Sequence, residues 1–179
     1  GFGTFSSVAT ESGAFDKVVA VEPTPELVEA CKERGVEVIQ SRVEEIGSQI
    51  KGVDVVVAFE VIEHLFSPRV FIEAIKPCMS DNGLLILSCP NGLGFDISIL
   101  KAKSLAVDAE HVNLFNPASL SLLLRSMGFE VLKVHTPGRL DAEFVREAAL
   151  RNEVSLDSFL QNCLIDQWDT LGWPFQEFL

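Results

Sequence analysis

The sequence contains no tyrosine, only three histidines, and 14 basic residues against 26 acidic ones. The resulting net charge of −12 disfavours nucleic acid as a partner, because phosphate backbones are bound by clustered Lys and Arg side chains and this chain has no such run. Apolar runs such as 53–59 and 83–89 are much shorter than the roughly 20 residues that a membrane helix needs. We therefore expect neither a nucleic-acid-binding nor a membrane-spanning protein.

The four cysteines lack the paired CxxC spacing of zinc and redox sites. They lie in apolar or helical patterns, which favours buried, reduced, structural thiols over metal or redox chemistry. The chain opens in a glycine turn rather than in the charged and then apolar segment of a secretory signal peptide. These features predict a cytoplasmic location.

The sequence does contain an alternation of short β-branched runs with helical stretches. This alternation is typical of βαβ units and a parallel sheet. Pro at the first helical position, a polar residue before it and Gly after the last turn mark the helices. The predicted strands are 17–22, 36–39, 53–59, 84–89 and 129–135, and the predicted helices are 25–34, 68–79 and 117–127, with a turn at 81–83.

The order of elements predicts an α/β fold: a Rossmann-like, doubly wound, mostly parallel sheet with helices on both faces. We expect residues 1–137 to form the core domain and 138–179 to form a helical appendage. Aromatic residues of the appendage either cap an acceptor pocket or pack its helices (Phe159, Trp168, Trp173 and Phe175). No strand precedes Gly1, so either earlier residues are missing from the sequence or the sheet has a gap at its centre.

The glycine turn at the start of the chain is followed by an acidic residue at a suggestive distance. Gly1 and Gly3 precede the strand 17–22, and Glu22 stands nineteen residues after Gly3. In nucleotide-binding βαβ units, glycines let the backbone approach the ligand and an acid about 20 residues on binds the ribose hydroxyls. A plain turn and a surface acid would explain the same residues, so the rest of the chain must decide.

Four segments in the same order resemble motifs of class I S-adenosylmethionine-dependent methyltransferases. The segment Phe59–Leu65 looks like the motif after their fourth strand, especially in the branch that includes the ubiquinone-biosynthesis O-methyltransferases. The other three are similar to the family's glycine motif, fifth strand and a later loop (1–5, 81–91 and 110–117). The resemblance covers roughly residues 1–137 and implies a methyltransferase that binds S-adenosylmethionine at the carboxyl edge of the sheet.

The resemblance also implies a role for each matching residue. Gly1 and Gly3 would contact the methionine part of the donor, Glu22 the ribose and Pro23 the adenine. Further donor contacts would come from the adenine edge and the end of the fourth strand (Val43, Glu44, Phe59 and Glu60). Arg42 departs from the family, which often has an acid facing the adenine amino group at that position.

The Glu-His pair after the fourth strand carries the predicted chemistry. Methyl transfer needs donor and acceptor to be aligned, and a hydroxyl acceptor must also lose its proton. His64 could remove that proton, or it could be a structural histidine at a helix start. Asn91 and His111 are candidate acceptor contacts, although Asn91 also fits an ordinary turn.

A divalent metal site is a further hypothesis. Glu60, Glu63 and His64 are spaced to lie on one helical turn, and with His111 they resemble the metal site of small-RNA 2′-O-methyltransferases. Two carboxylates and two imidazoles would suit a transition metal or Mg²⁺ that polarises an acceptor hydroxyl. Related sequences with Glu-His and no metal leave this hypothesis open.

Three functions therefore remain. The first is a methyltransferase acting on a small-molecule acceptor, at oxygen. The second is a methyltransferase-like domain that binds a ligand or a partner without turnover, which Arg42 and the short glycine motif favour. An NAD-dependent oxidoreductase is the third, although the chain lacks the tyrosine base of the short-chain dehydrogenases and the third glycine of the dinucleotide motif.

Overall fold

The computed structural model of the chain describes residues 1–47, 49–137 and 141–177. The predicted domain boundary after residue 137 and the last two residues of the predicted appendage lie outside these residues. The described chain forms two compact units. The N-terminal unit contains residues 1–56 and 69–85, and the C-terminal unit contains 57–68 and the described residues from 86 onward.

Helices and strands alternate along the chain up to the fourth strand, and only helices follow it among the described residues. Up to the fourth strand they are α1 (Thr4–Glu11), β1 (Val19–Val21), α2 (Pro25–Glu33), β2 (Glu37–Ile39), β3 (Val53–Phe59), α3 (Pro68–Ile75) and β4 (Met79–Ser88). After it come α4 (Phe95–Leu100), α5 (Pro117–Ser126), α6 (Ala142–Leu150), α7 (Ser158–Gln161), two π-helices (Asn162–Asp166 and Trp168–Gly172) and α8 (Trp173–Glu177). Short 3₁₀ helices lie at Val43–Glu45, Ile62–His64, Lys76–Cys78 and Lys101–Lys103.

The strands form two parallel pairs. β1 pairs with β2, with Val19 opposite Glu37 and Val21 opposite Ile39. β3 pairs with β4. The Ser80 hydroxyl donates to Val53 O at the start of β3, and the N–H of Glu60, just past the end of β3, donates to Ser88 O at the end of β4. The two strands therefore run in the same direction. The mixed α/β architecture with parallel strands is the one that the sequence predicts.

Local sequence signals explain where two of the helices begin and end. α2 begins at Pro25 and is followed by Gly35 at φ +73°, a conformation that favours glycine. α5 begins at Pro117 behind a capping box. The Asn116 side chain accepts from the Ser119 N–H, and the Ser119 hydroxyl accepts from the Asn116 N–H. These caps satisfy backbone groups that a helix end leaves without partners.

Three predicted elements differ from the structure. No strand is present at 129–135 in the described chain; the Phe129 N–H instead donates to Leu124 O and closes the end of α5. The predicted turn at 81–83 lies inside β4, because the Ser80 hydroxyl bonds to Asp54 and pairing with β3 has already begun. The helix predicted to reach residue 79 changes to a 3₁₀ turn at Lys76, since Pro77 has no N–H for the α-helical ladder.

Each unit has its own buried residues. In the N-terminal unit the buried apolar side chains are those of Ala9, Val28, Cys31, Val36, Ile46, Phe71, Ile72, Ile75 and Cys78. In the C-terminal unit one cluster joins α4, α6 and the first π-helix through Leu100, Ala142, Val145, Ala148, Cys163 and Leu164. All four cysteines are free thiols. Among the described residues, no helix combines the length and the apolar character that crossing a bilayer requires.

Candidate functional site

The glycine turn packs closely against α2. Gly3 has φ +75°, and a Cβ added to it would lie 3.0 Å from the Sγ and 3.2 Å from the Cα of Cys31. The Cys31 thiol lies 3.4 Å from the carbonyl oxygen of Gly1, which places the whole turn against this helix. Gly3 is therefore required both for its backbone conformation and for the close approach, whereas Gly1 has open space around it.

We expect Gly3→Ala to lower the free energy of unfolding by about 1–3 kcal/mol, because it adds left-handed strain and a clash with backbone. Gly13→Ala is the matched control, since Gly13 has φ +64° and nothing within 4 Å of an added Cβ. Urea unfolding of both variants checks this. Equal losses at the two positions would show that packing against Cys31 contributes nothing.

Glu22 lies directly after β1 and is buried, with 6% of its surface exposed. Its Oε1 accepts from the Thr24 N–H at 2.9 Å, and its Oε2 contacts the nitrogen of Gly1. Burial raises the pKa of Glu22, whereas the hydrogen bonds from Thr24 lower it. The predicted ribose acid is thus a buried carboxyl group held by Thr24 beside the glycine turn, and not a side chain in bulk water.

The other predicted adenosine contacts lie on exposed or half-buried positions of the N-terminal unit. Pro23 is exposed between Glu22 and α2. Val43 is half-buried and Glu44 exposed on the 3₁₀ helix that follows β2, and Arg42 is the extended residue before that helix. Gly1 contacts Glu22, and both Gly1 and Gly3 lie against Cys31 of α2. Val43 and Glu44 belong to the 3₁₀ helix after β2.

In the C-terminal unit, β3 ends in a strained turn. Phe59 is 42% exposed, and Glu60 has φ +52°, which is uncommon for a residue other than glycine. The Glu60 carboxylate accepts a 2.5 Å hydrogen bond from the Ser88 hydroxyl, and its N–H donates to Ser88 O. Backbone strain of this kind is concentrated at functional sites. Ser88 is not among the residues predicted from the sequence, although its position at the end of the neighbouring strand indicates that it lies close to Glu60.

Three of the four predicted metal ligands come together. One oxygen or nitrogen from each of Glu63, His64 and His111 lies within 4.8 Å of the others, and the two imidazole rings are 4.7 Å apart between centroids. Glu60 is outside this group because its carboxylate is held by Ser88. We call Glu63, His64 and His111 the Glu-His-His cluster.

Glu63 is the buried member of the cluster, with 1% exposure and no hydrogen-bond partner for either carboxylate oxygen among the described residues. Nε2 of His64 lies 3.8 Å from its Oε1, beyond hydrogen-bond distance. Burial, and then the charge of Glu60, raise the pKa of Glu63 above its usual value. Burial and the same two carboxylates raise the pKa of the nearby Cys89 thiol to about 11. Glu63 is thus a buried carboxyl group whose two oxygens have no hydrogen-bond partner among the described residues.

The two histidines are oriented by groups outside the cluster. Nδ1 of His64 lies 3.0 Å from the carbonyl oxygen of Glu110. Because a carbonyl only accepts, Nδ1 carries the proton and Nε2 keeps its lone pair free for a proton or a metal. Asp108 accepts the N–H groups of His111 and Glu110, which lower the pKa of Asp108, and its carboxylate lies 3.2 Å from Nδ1 of His111.

Asn91 has the geometry of a turn residue. Its side-chain oxygen accepts from the Leu93 N–H at 3.1 Å, and its carbonyl accepts from Gly94. Asn113, which the sequence analysis did not select, donates its side-chain N–H to Leu65 O at 2.6 Å. Its place two residues after His111 is the only sequence signal that could have identified it.

Aromatic residues of the C-terminal unit pack among its helices. The Phe175 ring lies 5.4 Å from that of Phe95 and 6.2 Å from that of Phe159, and Arg146 lies over the Trp168 ring at 5.0 Å. These contacts favour the packing interpretation of the predicted appendage. The side chain of Trp173 is outside the described part of the chain.

Comparison with known proteins identifies the family. A model described as a methyltransferase domain matches residues 1–134. A "probable S-adenosylmethionine-dependent methyltransferase" of Mycobacterium tuberculosis is 31% identical over 115 residues, which are 63% of this chain and 40% of that protein. The chain thus spans less than half of this relative.

Solved structures share the fold. An S-adenosylmethionine-dependent methyltransferase of Thermotoga maritima has a TM-score of 0.59 at 22% identity, over 73% of this chain and 60% of that one. One from Mesorhizobium loti has a TM-score of 0.62 at 14% identity, over 86% and 81%. These structures confirm the predicted Rossmann-like fold, while the ubiquinone-biosynthesis branch stays a prediction. Because the family model covers 134 of the 179 residues, the chain belongs to the methyltransferase-domain family, that of the S-adenosylmethionine-dependent methyltransferases.

Proposed function

We propose that this domain transfers the methyl group of S-adenosylmethionine to an oxygen of a small-molecule acceptor. The observation that carries the proposal is Glu22: a buried carboxyl group next to the glycine turn, in a chain whose residues 1–134 match the methyltransferase domain. Such a carboxylate suits two ribose hydroxyls, because a charged acceptor makes the stronger hydrogen bonds. The backbone of Gly1 and Gly3 would contact the methionine part of the donor, and Pro23, Val43 and Glu44 would contact its adenine.

The proposed reaction is an in-line displacement. The acceptor oxygen attacks the methyl carbon, the bond from that carbon to sulfur breaks, and S-adenosylhomocysteine leaves with the electron pair. The hydroxyl proton goes to Nε2 of His64, whose lone pair is free because Nδ1 donates to Glu110 O. Phe59 and Glu60 would contact the donor, and Asn91 and His111 would contact the acceptor.

Calorimetric titration of the chain tests the proposal against the two alternatives. S-adenosylhomocysteine and S-adenosylmethionine should each bind saturably, and NAD should not. Binding of NAD alone would support the oxidoreductase. If the donor binds and no S-adenosylhomocysteine forms with phenolic, aliphatic-hydroxyl or amine acceptors, the non-catalytic domain is the better account.

The acceptor atom needs its own comparison. Similar solved structures include a "possible histamine N-methyltransferase" and a plantazolicin methyltransferase, so nitrogen and peptide acceptors belong in the assay. Faster turnover of hydroxyl than of amine acceptors would support the proposed oxygen chemistry. Exclusive turnover of amines would replace it with N-methylation.

A bound divalent metal is a second candidate, favoured by the two partnerless oxygens of buried Glu63. With Glu63, His64 and His111 as ligands, the site is rich in nitrogen and fits a transition metal such as Zn²⁺ better than Mg²⁺; Mn²⁺ serves below as the probe ion. When bound, the metal would polarise the acceptor hydroxyl. Glu60 would join only by leaving Ser88.

We expect Glu63→Gln to weaken binding of Mn²⁺ by about tenfold or more, because it removes the only anionic ligand of the cluster. Glu73→Gln is the matched control, an exposed glutamate of α3. Isothermal titration of both variants with Mn²⁺, together with activity in EDTA, checks this. Full activity of the wild-type chain in EDTA and equal affinity of the two variants would rule out a functional metal.

A further inference from the structure

The segment that carries His111 is neither helical nor stranded. From residue 111 to residue 116 the backbone has no regular hydrogen-bond pattern, yet the His111 ring lies 4.7 Å from that of His64. Something other than secondary structure must therefore hold His111 at this distance. Described contacts bind this segment and the preceding Glu110 to the rest of the C-terminal unit through His64, Asn113 and Gly92. Asp108, three residues before His111, also contacts the His111 backbone and ring.

Asn113 binds two carbonyl groups of the turn that carries Glu63 and His64. Its backbone N–H donates to Glu63 O at 3.0 Å, and its side-chain N–H donates to Leu65 O at 2.6 Å. The side-chain nitrogen also lies 3.5 Å from Glu63 O. Both carbonyls lie at the end of the 3₁₀ helix Ile62–His64, where helical carbonyls have no partner in the helix itself.

The chemistry of these contacts requires an amide at position 113. Both acceptors are carbonyl oxygens, so the side chain must donate, and a carboxylate of the same shape would instead face Leu65 O with like partial charge. The side chain is half-buried, and its described hydrogen bonds go to backbone and not to the cluster side chains. Asn113 thus acts on the cluster through His111.

We propose that Asn113 is a positioning residue: its carboxamide fixes the 111–116 segment to the Glu63–His64 turn and thereby holds the His111 ring against His64. The consequence for acceptor or metal binding rests on the proposed function, but the positioning itself does not. Without the carboxamide, the backbone bond to Glu63 O, the His64 contact with Glu110 O and the Asp108 contact with Nδ1 of His111 remain. The first two do not involve the His111 ring, and Asp108 lies three residues before His111, so it orients the ring within its own stretch of chain and does not bind it to the Glu63–His64 turn.

Proton NMR of the histidine rings tests the proposal without ligand. The chain has three histidines, so their ring signals can be assigned with single substitutions. The wild-type chain should show a nuclear Overhauser effect between the His64 and His111 rings. Asn113→Asp and Asn113→Ala should lose it, and Asn82→Asp, the same chemical change at an exposed position, should keep it. Thermal unfolding of each variant verifies that the ring signals come from folded protein.

A persistent ring-to-ring effect in folded Asn113→Asp and Asn113→Ala would overturn the proposal, as would its absence from the wild-type chain. If both variants are unfolded, Asn113→Ser, which keeps a shorter donor, takes their place. An undiminished effect in that variant would overturn the proposal equally, and a weakened one would support it. A residue that only stabilised the fold would lower the melting temperature and leave the effect intact.

Mn²⁺ separates this inference from the proposed function. In the wild-type chain the paramagnetic ion should broaden the ring signals of His64 and His111, and in Asn113→Asp it should broaden that of His111 far less. If Mn²⁺ broadens neither signal in the wild-type chain, the metal candidate fails. The ring-to-ring effect still decides the role of Asn113 in that case.

Discussion

His64→Gln should reduce kcat for methyl transfer to a hydroxyl acceptor by about 10²- to 10⁴-fold, the usual contribution of a positioned general base. The glutamine amide can still donate to Glu110 O, but it offers no basic nitrogen in place of Nε2. Affinity for S-adenosylhomocysteine should be unchanged. Initial rates of S-adenosylhomocysteine formation and calorimetry of the same preparation measure the two quantities.

His135→Gln is the control, because His135 is exposed and lies in the C-terminal unit away from the Glu-His-His cluster in sequence and contacts. It should keep the wild-type rate. A rate for His64→Gln within a few fold of the wild type would leave His64 a structural histidine. A loss that appears only without EDTA would instead assign His64 to a metal site.

The second large effect is expected at the donor site. Glu22→Gln should weaken S-adenosylhomocysteine binding by about 10- to 100-fold, since hydrogen bonds to a charged group contribute about 1.5–3 kcal/mol and a neutral amide makes weaker ones to two hydroxyl donors. The amide would also present an N–H where Glu22 accepts from Thr24. Calorimetric titration gives the affinity, and kcat at saturating donor should change much less.

Glu33→Gln supplies the comparison for Glu22→Gln: the same substitution at an exposed position in the last turn of α2. We expect its donor affinity to match the wild type. Equal affinities for all three proteins would remove Glu22 from the donor site, and with it the main support for the proposed function. Urea unfolding shows whether loss of the Thr24 contact has also destabilised β1.

Elements with strong local signals were predicted well from sequence. β3 was predicted at its observed bounds, because a nearly continuous β-branched run has few alternatives to a covered strand. α2 and α5 were predicted to within a residue or two, because Pro at the start and Gly after the end act on the backbone directly. The failures at 129–135 and 81–83 have the opposite cause: a strand exists only where a partner supplies hydrogen bonds.

The candidate site, too, was predicted in its local features and less well in its long-range contacts. The adjacency of Glu63 and His64 and the acid after β1 are local, so the sequence predicts them. His111 is 47 residues from His64, and Glu60 is in the same motif as Glu63, yet the structure groups His111 with the cluster and turns Glu60 toward Ser88. The family resemblance had already placed His111 with Glu63 and His64. Spacing on an assumed helical turn could not show that Glu60 faces Ser88, because the chain after β3 adopts a strained turn and a short 3₁₀ helix.

The sequence by itself therefore determined the family and much of the order of strands and helices, since each depends on residue type and local backbone preference. Glu22 as the ribose acid stays a prediction. Tertiary structure alone decided that Glu60 turns toward Ser88 and that Asn113 binds the turn beside the Glu-His-His cluster. The reason is physical: hydrogen bonds between distant segments form only after folding has closed the intervening loops.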